Sequence, residues 1–590
     1  MEAHLILTLA AIPAIGVVAQ WVAVRFHLPS ILLLLLSGFM VGPVFGLIDP
    51  HHILGEIFHP FVSLSVALIL FEGGLTLKLS ELTHTGKIVR NLITLGYAIT
   101  SLGTAVIAYF IFGFNMEICL LLGAILAVSG PTVVMPLLRQ IKLKKSLSAI
   151  LKWEGITIDP IGATLSVMVY RVILSDKASE AVSVVFAVIG LTLLSGLVLG
   201  VLGATLIMML FKKKLVPDYL QESFTFIIVL VAYAIAGLIQ PESGLLAVTV
   251  LGIILANQKV VVIKHIVTFK ENIAVLLLSS LFIILAAKVH LEDLIMVIQP
   301  STLLFIALLI FVIRPLSVFA STFRSHLLFK ERLFLACLYP RGIVAAAIAS
   351  VFSLQLELAG IGNAEKIISI TFLTIVITVS FYAILGRPLI NLLGLHRIQR
   401  GVIIVGAQKW ARQFSALLNS MKIETILIDT NLENILAAKQ ENLRAIHGSI
   451  LSKKTVEEIE EIGFGTLISL TGSDEANLLA TIEYQELLGS QHVYRLSPID
   501  KKKDLFNKSE NSLLLAKKGV NFTQLQTMAT AGATFKLVQL SESYSYSDFK
   551  KEHSRAICFG LINKKNQFKL LFEGHKYKRF EDCQLICFMK

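Results

Sequence analysis

Charge is scarce in this chain. Asp, Glu, Lys and Arg make up 16% of its 590 residues and hydrophobic residues 55%, whereas soluble domains carry about 25% charged residues. That balance excludes a soluble protein throughout and places most of the chain in lipid. Stretches long enough to span a bilayer recur from near Leu5 to about Leu393, about twelve or thirteen of them. Cysteine is also sparse, with five residues. Cys119 and Cys337 fall in spans, Cys558, Cys583 and Cys587 in a later polar part. The spacing of Cys583 and Cys587 is not a usual zinc spacing, and reduced cytosolic thiols are the expectation.

A basic n-region and a cleavage site are missing from the first apolar stretch, His4 to Val24, so it reads as a span rather than a signal peptide. Acidic residues are outnumbered, giving a net charge of +12. The basic clusters Lys212–Lys214 and Lys142–Lys145 lie in short loops between spans. The positive-inside rule accounts for them without a nucleic-acid partner. A Thr-Val-Gly-Tyr-Gly filter is absent and the spans are too many for a channel subunit. A cation channel with a ligand-gated tail, or a potassium efflux system, is therefore the alternative reading. No nucleophile–base set accompanies the soluble part, so neither an enzyme nor an NAD-dependent oxidoreductase is expected.

The charges that do enter apolar stretches carry the functional signal. Residues 153–160 read Trp-Glu-Gly-Ile-Thr-Ile-Asp-Pro, with Glu154 and Asp159 among Ile156, Ile158 and Ile161. A charge at the bilayer centre costs roughly 2.5–3.5 kcal/mol on insertion scales, so such residues usually face the bundle interior. On one helix these two carboxylates stand about 140° apart, which predicts different partners and different tasks. Glu72 lies in Leu-Phe-Glu-Gly-Gly-Leu (70–75), and Arg341 in Leu-Tyr-Pro-Arg-Gly (338–342). Arginine stays protonated and forms a fork with a carboxylate. Arg341 therefore needs a partner, Glu72 or Glu154, leaving another carboxylate free to titrate and exchange a proton for a cation. Arg314-Pro315 and Arg387-Pro388 read as span ends with no ion role.

Proline interrupts the apolar runs at Ala-Val-Ser-Gly-Pro-Thr (127–132), at Pro160 and at Pro340. Proline lacks an N–H and clashes with the carbonyl four residues back. Pro131 would free the carbonyl of Ala127, and Pro160 that of Ile156. Non-helical backbone at membrane depth survives where it lines a cavity, and paired interrupted segments point to a transporter's binding site. Asp159, the hydroxyls of Ser129 or Thr157 and freed carbonyls are hard oxygen ligands suited to Na⁺, Li⁺ or K⁺.

Together with Ser-Gly-Pro-Thr-Val-Val (129–134), Glu-Ser-Gly-Leu-Leu-Ala-Val-Thr-Val (242–250) and Pro-Arg-Gly-Ile-Val-Ala-Ala (340–346), these motifs resemble the NhaP-type bacterial monovalent cation/proton antiporters. The resemblance covers nearly all of 1–395. It implies a core of two crossed, partly unwound helices, inverted repeats, a dimerisation domain, and elevator-like, usually electroneutral exchange of Na⁺ or K⁺ for H⁺. By the same resemblance, Asp159 is the cation- and proton-binding aspartate, Glu154 the partner of Arg341, and Glu72 a supporting acid. The chain departs from that pattern twice. Ile158 stands where asparagine is common, and Ser129-Gly130 where Thr-Asp is common, so ion selectivity and stoichiometry do not carry over.

From about residue 396 the pattern alternates strand and helix. Gly-Val-Ile-Ile-Val-Gly (401–406) precedes a helix, and a second strand ends in Asp429, the βαβ arrangement that places a pyrophosphate at a helix N-terminus. The glycine fingerprint is incomplete, with Gly406, Gln408 and Ala411 at its positions. With Ala-Ile-His-Gly-Ser (445–449), which contains Gly448, and Leu-Ile-Ser-Leu-Thr-Gly-Ser-Asp (467–474), this region resembles the RCK or KTN (TrkA-N type) regulatory domains of potassium channels and transporters. The fold expected is an all-α polytopic membrane domain over 1–395, an α/β Rossmann-like domain over 396–505, a linker or helical segment over 506–533, and a small β-containing subdomain over 534–590. No cofactor is required for transport. A regulatory NAD(H) or adenine nucleotide in the tail, a homodimer in lipid, and a multi-pass protein of the bacterial inner membrane with a cytoplasmic C-terminal domain complete the expectations.

Overall fold

The computed structural model describes residues 2–590 except 27, 29, 51–52, 54, 131–133, 136–137, 139–142, 174–177, 262–263, 289–296, 359–361, 363, 396–400, 453–454, 457, 460–463, 499–512, 516–518, 542–543, 563–567 and 572–582. The chain forms two compact units, Met1–His396 and Arg397–Lys590.

The first unit is helical. In chain order its α-helices are α1 (Glu2–Phe26), α2 (Ser30–Phe39), α3 (Phe58–Leu75), α4 (Leu82–Asn91), α5 (Tyr97–Phe112), α6 (Met116–Leu126), α7 (Lys145–Ile173) and α8 (Ala178–Lys212). They continue with α9 (Gln221–Ile239), α10 (Ser243–Asn257), α11 (Lys264–Ala287), α12 (Pro300–Leu308), α13 (Arg314–Ser321), α14 (Phe329–Ala336), α15 (Ile343–Leu358) and α16 (Glu365–Leu393). Among the described residues, seven helices are long and apolar enough to cross a membrane, and six shorter apolar helices accompany them. Such a unit satisfies its backbone hydrogen bonds within each segment, as hydrocarbon requires.

Two short helices are the informative ones. α6 stops at Leu126 and α14 at Ala336, and extended backbone follows each at 128–130 and 338–340. Pro340 explains the second stop, because it can neither donate to the helix ladder nor fit beneath the preceding turn. Pro131 lies outside the described residues. Pro160, expected to break its helix, does not: α7 runs through it unbroken. The Thr164 hydroxyl donates to the Pro160 carbonyl within the same helix.

The second unit carries β1 (Val402–Val405), α17 (Lys409–Ser420), β2 (Thr425–Asp429), α18 (Leu432–Gln440), β3 (Ala445–His447), β4 (Thr466–Ser469), α19 (Asp474–Leu488), β5 (Val493–Arg495) and β6 (Leu513–Leu514). These strands form one parallel sheet in the order β3-β2-β1-β4-β5-β6, the doubly wound arrangement with its switch point between β1 and β4. Then come α20 (Phe522–Thr530), β7 (Thr534–Gln539), α21 (Tyr546–Glu552), β8 (Ile557–Ile562), β9 (Phe568–Leu570) and β10 (Gln584–Met589), whose strands form an antiparallel sheet ordered β7-β10-β8-β9. The two sheets share one core. Phe414 of α17 packs on Phe535 of β7 and Phe559 of β8, with ring centroids 4.9 and 5.4 Å apart. Nor is α20 a free linker, since Leu525 is buried and the Trp410 indole donates to Gln526 at 3.1 Å.

Candidate functional site in the membrane unit

The two unwound stretches meet. Ser129 and Arg341 pair as an isolated antiparallel bridge. Beside them, a methyl group on Gly342 would collide with the Gly130 backbone, so the chains approach as closely as glycine permits. Carbonyls released where the helices stop find side-chain donors. The Tyr339 hydroxyl donates to Ala127 O at 2.6 Å, the Tyr97 hydroxyl to Ala124 O at 3.0 Å, and Arg314 Nε to Leu335 O at 3.2 Å.

Helix α7 lies against this crossing. Gly155, Asp159 and Gly162 are four and three residues apart and share one helix face. A methyl on Gly155 would touch Val134 at 3.4 Å, and one on Gly162 would collide with Val128. Asp159 therefore stands on the face that packs on Val128 and Val134. It is fully buried, and neither carboxylate oxygen has a hydrogen-bond partner among the described residues. An uncompensated buried carboxylate is very costly, which makes Asp159 the candidate for holding a proton or a cation.

Glu154 faces elsewhere, as the helical spacing predicts, but its partner is not the expected one. Its carboxylate takes a two-pronged bond from Arg314, with Nη1 at 2.7 Å and Nη2 at 3.0 Å. The expected Glu154–Arg341 pair is thus replaced by Glu154–Arg314, and Arg314 is no span end. It is buried inside the apolar segment Pro300–Ser321, directly after a π-helical turn at Leu309–Ile313. Pro315 follows it at the start of α13. Sequence reading missed Arg314 because Arg-Pro resembles a terminus. The signal available was a charge well inside an apolar window, which needs a partner.

Arg341 is also buried, and its Nε and Nη1 have no hydrogen-bond partner among the described residues. Its guanidinium lies over the Tyr339 ring, 4.5 Å from the centroid, and the Arg314 guanidinium lies over the same ring at 3.8 Å. Tyr339 is the second residue that sequence reading passed over.

The crossing thus assembles Asp159, Ser129, Gly130 and Arg341, with Glu154 joined through Arg314 and Tyr339. The Thr157 hydroxyl donates to Trp153 O at 2.6 Å, which leaves its oxygen lone pairs as acceptors. Glu72 sits in α3, whose Gly73 and Gly74 pack on Ile156 of α7 and on Thr249 and Gly252 of α10. Around Arg387-Pro388, α16 continues to Leu393.

In the second unit, the crevice beyond β1 and β4 has the place of a dinucleotide site. Gly406 has φ of +105°, a turn that favours glycine. Gln408 folds back over it. Its Nε2 donates to Leu470 O at 2.7 Å, tying the end of β1 to the end of β4, and its Oε1 would lie 2.8 Å from a methyl on Gly406. Asp429 is occupied too. Oδ2 accepts from Ala407 N at 2.7 Å and Asn434 Nδ2 at 2.9 Å, and Oδ1 accepts from Asn431 N at 2.9 Å. Ala411 is buried in α17, and the N–H of Gly448 donates to Asp429 O. As folded, these residues do not fit a bound dinucleotide, since Gln408 fills the gap that a glycine would leave for the pyrophosphate. Cys558 and Cys587 face each other across β8 and β10 with sulfurs 2.9 Å apart.

The comparisons with known proteins agree with this architecture. Residues 402–511 match the TrkA-N domain. The chain is 26% identical over 378 residues to "Na(+)/H(+) antiporter 1" of Methanocaldococcus jannaschii, covering 60% of this chain and 83% of that protein. It is 25% identical over 384 residues to the "K(+)/H(+) antiporter NhaP" of Alkalimonas amylolytica, covering 64% of each. Among solved structures, the sodium proton antiporter MjNhaP1 of Methanocaldococcus jannaschii superposes with a TM-score of 0.55 at 26% identity, over 67% of this chain and 97% of that one. Residues 10–391 match the family described as "Sodium/hydrogen exchanger, transmembrane". With that match spanning well over half its length and its helices crossing as they do, the chain belongs to the sodium/hydrogen exchanger transmembrane family, a family of transporters.

Proposed function

We propose that this protein exchanges a monovalent cation, Na⁺ or K⁺, for protons across a cell membrane, with Asp159 as the group that each ion occupies in turn. The observation that carries this reading is a fully buried carboxylate with no hydrogen-bond partner among the described residues, on the helix face that packs on Val128 and Val134 beside the first unwound segment. Protein groups neutralise Glu154, so of the two α7 carboxylates it is Asp159 that is left to take up a proton or a cation. The backbone oxygens of 128–130 and the Ser129 hydroxyl supply further oxygen ligands of the type that alkali cations take.

The tail is the regulatory part in this reading, and transport itself requires no cofactor. A dinucleotide could enter the β1–β4 crevice only after the Gln408 side chain swings away from Leu470. We place the protein as a homodimer in the bacterial inner membrane, its tail in the cytoplasm. The test is cation-driven proton movement in proteoliposomes, measured separately with Na⁺ and K⁺. Asp159→Asn should abolish both. Exchange that persists in that variant removes Asp159 from the mechanism.

A further inference from the structure

Tyr339 takes part in every strand of the site except Asp159 itself, and nothing in the motif set singles it out. Three contacts converge on it. Its hydroxyl, at the start of the second unwound segment, donates to Ala127 O at the start of the first. Its ring lies under the guanidinium of Arg314, which holds Glu154. The same ring lies under the guanidinium of Arg341, whose backbone forms the bridge to Ser129.

The chemistry explains why this position calls for a phenol. Two buried guanidiniums repel each other, and among the described residues only that of Arg314 is paired with a carboxylate. An aromatic face attracts cations through its quadrupole, more strongly when water is excluded, and guanidinium stacks on such faces without giving up its in-plane donors. The ring can hold Arg341 without adding a negative charge that would compete with Asp159 for the transported cation. The hydroxyl meanwhile satisfies a carbonyl that the end of α6 leaves open.

We propose that Tyr339 is a positioning residue for exchange: through ring and hydroxyl together it fixes the spacing of the two unwound segments and the place of Arg341 at the crossing. It touches neither ion and acts through its neighbours. The proposal rests on the crossing being the transport site.

The test uses the full chain in proteoliposomes, with cation-dependent exchange followed across pH. Tyr339→Phe keeps the ring and loses the link to Ala127, so the apparent KM for the cation should rise about threefold to tenfold with Vmax nearly unchanged. Tyr339→Leu also removes the aromatic face. Its Vmax should fall by about tenfold or more and its pH profile should move, because Arg341 is no longer held. A merely structural role would lower the yield of folded protein and leave KM and the pH profile of the folded fraction as in the wild type. Wild-type kinetics in Tyr339→Leu overturn the proposal, as does a Phe variant as impaired as the Leu variant. Should the Leu variant not fold, an unchanged KM in Tyr339→Phe overturns the clamp by itself. Asp159→Asn run alongside separates the two claims, since exchange surviving there defeats the site assignment whatever Tyr339 does.

Discussion

The two units each contain a place where regular structure gives way around polar groups, and they treat those groups in opposite ways. At the membrane crossing, Asp159 and two nitrogens of Arg341 are buried without hydrogen-bond partners among the described residues. In the tail crevice, Gln408 Nε2, the Asp429 carboxylate and the Asn477 amide are bonded, the last accepting from Ser469, Thr471 N and the Thr471 hydroxyl. Buried polar groups in folded proteins are nearly always satisfied. Those left open mark where something other than protein completes the structure, and those closed by their neighbours mark a shape kept by its own bonds.

The contrast can be broken most forcefully at the one buried ion pair of the crossing. Arg314→Ala strands the Glu154 charge in hydrocarbon, and removing one partner of a buried pair costs about 3–5 kcal/mol. A large fall in thermal stability in detergent is expected. The double variant Glu154→Leu with Arg314→Met should recover most of it. Failure of the double variant to recover would mean that the pair does more than neutralise charge.

Asp159→Asn should behave in the opposite sense. It removes a charge that the protein leaves unpaired, so stability should hold or rise while exchange is lost, the trade-off expected where function keeps a destabilised group. A variant as unstable as Arg314→Ala would mean that Asp159 has a structural partner after all.

Next in size is Gly342→Ala. Its methyl would collide with Gly130, and exchange should fall about tenfold or more, since a displacement of about 1 Å at a site can cost a hundredfold. In the tail, Gln408→Gly should have a small stability cost of about 0.5–1.5 kcal/mol for the lost hydrogen bond. It should raise the affinity of the full-length protein for labelled NADH, measured by equilibrium dialysis. Unchanged affinity would mean that Gln408 is not what closes the crevice.

Much of this contrast is legible in the sequence. Pro340 and the glycines inside apolar runs located the crossing, and the five-residue offset of Glu154 and Asp159 foretold their different surroundings. The strand ends at Gly406 and Asp429 foretold the parallel sheet. Long-range pairing was not legible. Glu154 and Arg314 lie 160 residues apart, and two arginines were available to one glutamate. Local pattern cannot choose between them, and Arg-Pro favoured the wrong reading of Arg314. Tyr339 was hidden because a tyrosine beside a proline signals nothing until its ring is seen beneath two guanidiniums. Gln408 was read correctly as a missing glycine, yet its bond to Leu470 depends on how two strands 62 residues apart align.

The central claim is that a proton and a cation compete for Asp159. It is tested most directly by adding Na⁺ or K⁺ to the purified, weakly buffered full-length protein and following proton release with a pH dye. The account predicts that cation binding releases protons from the wild type and releases none from Asp159→Asn. Cation binding without proton release in the wild type, or equal release from the variant, would contradict it.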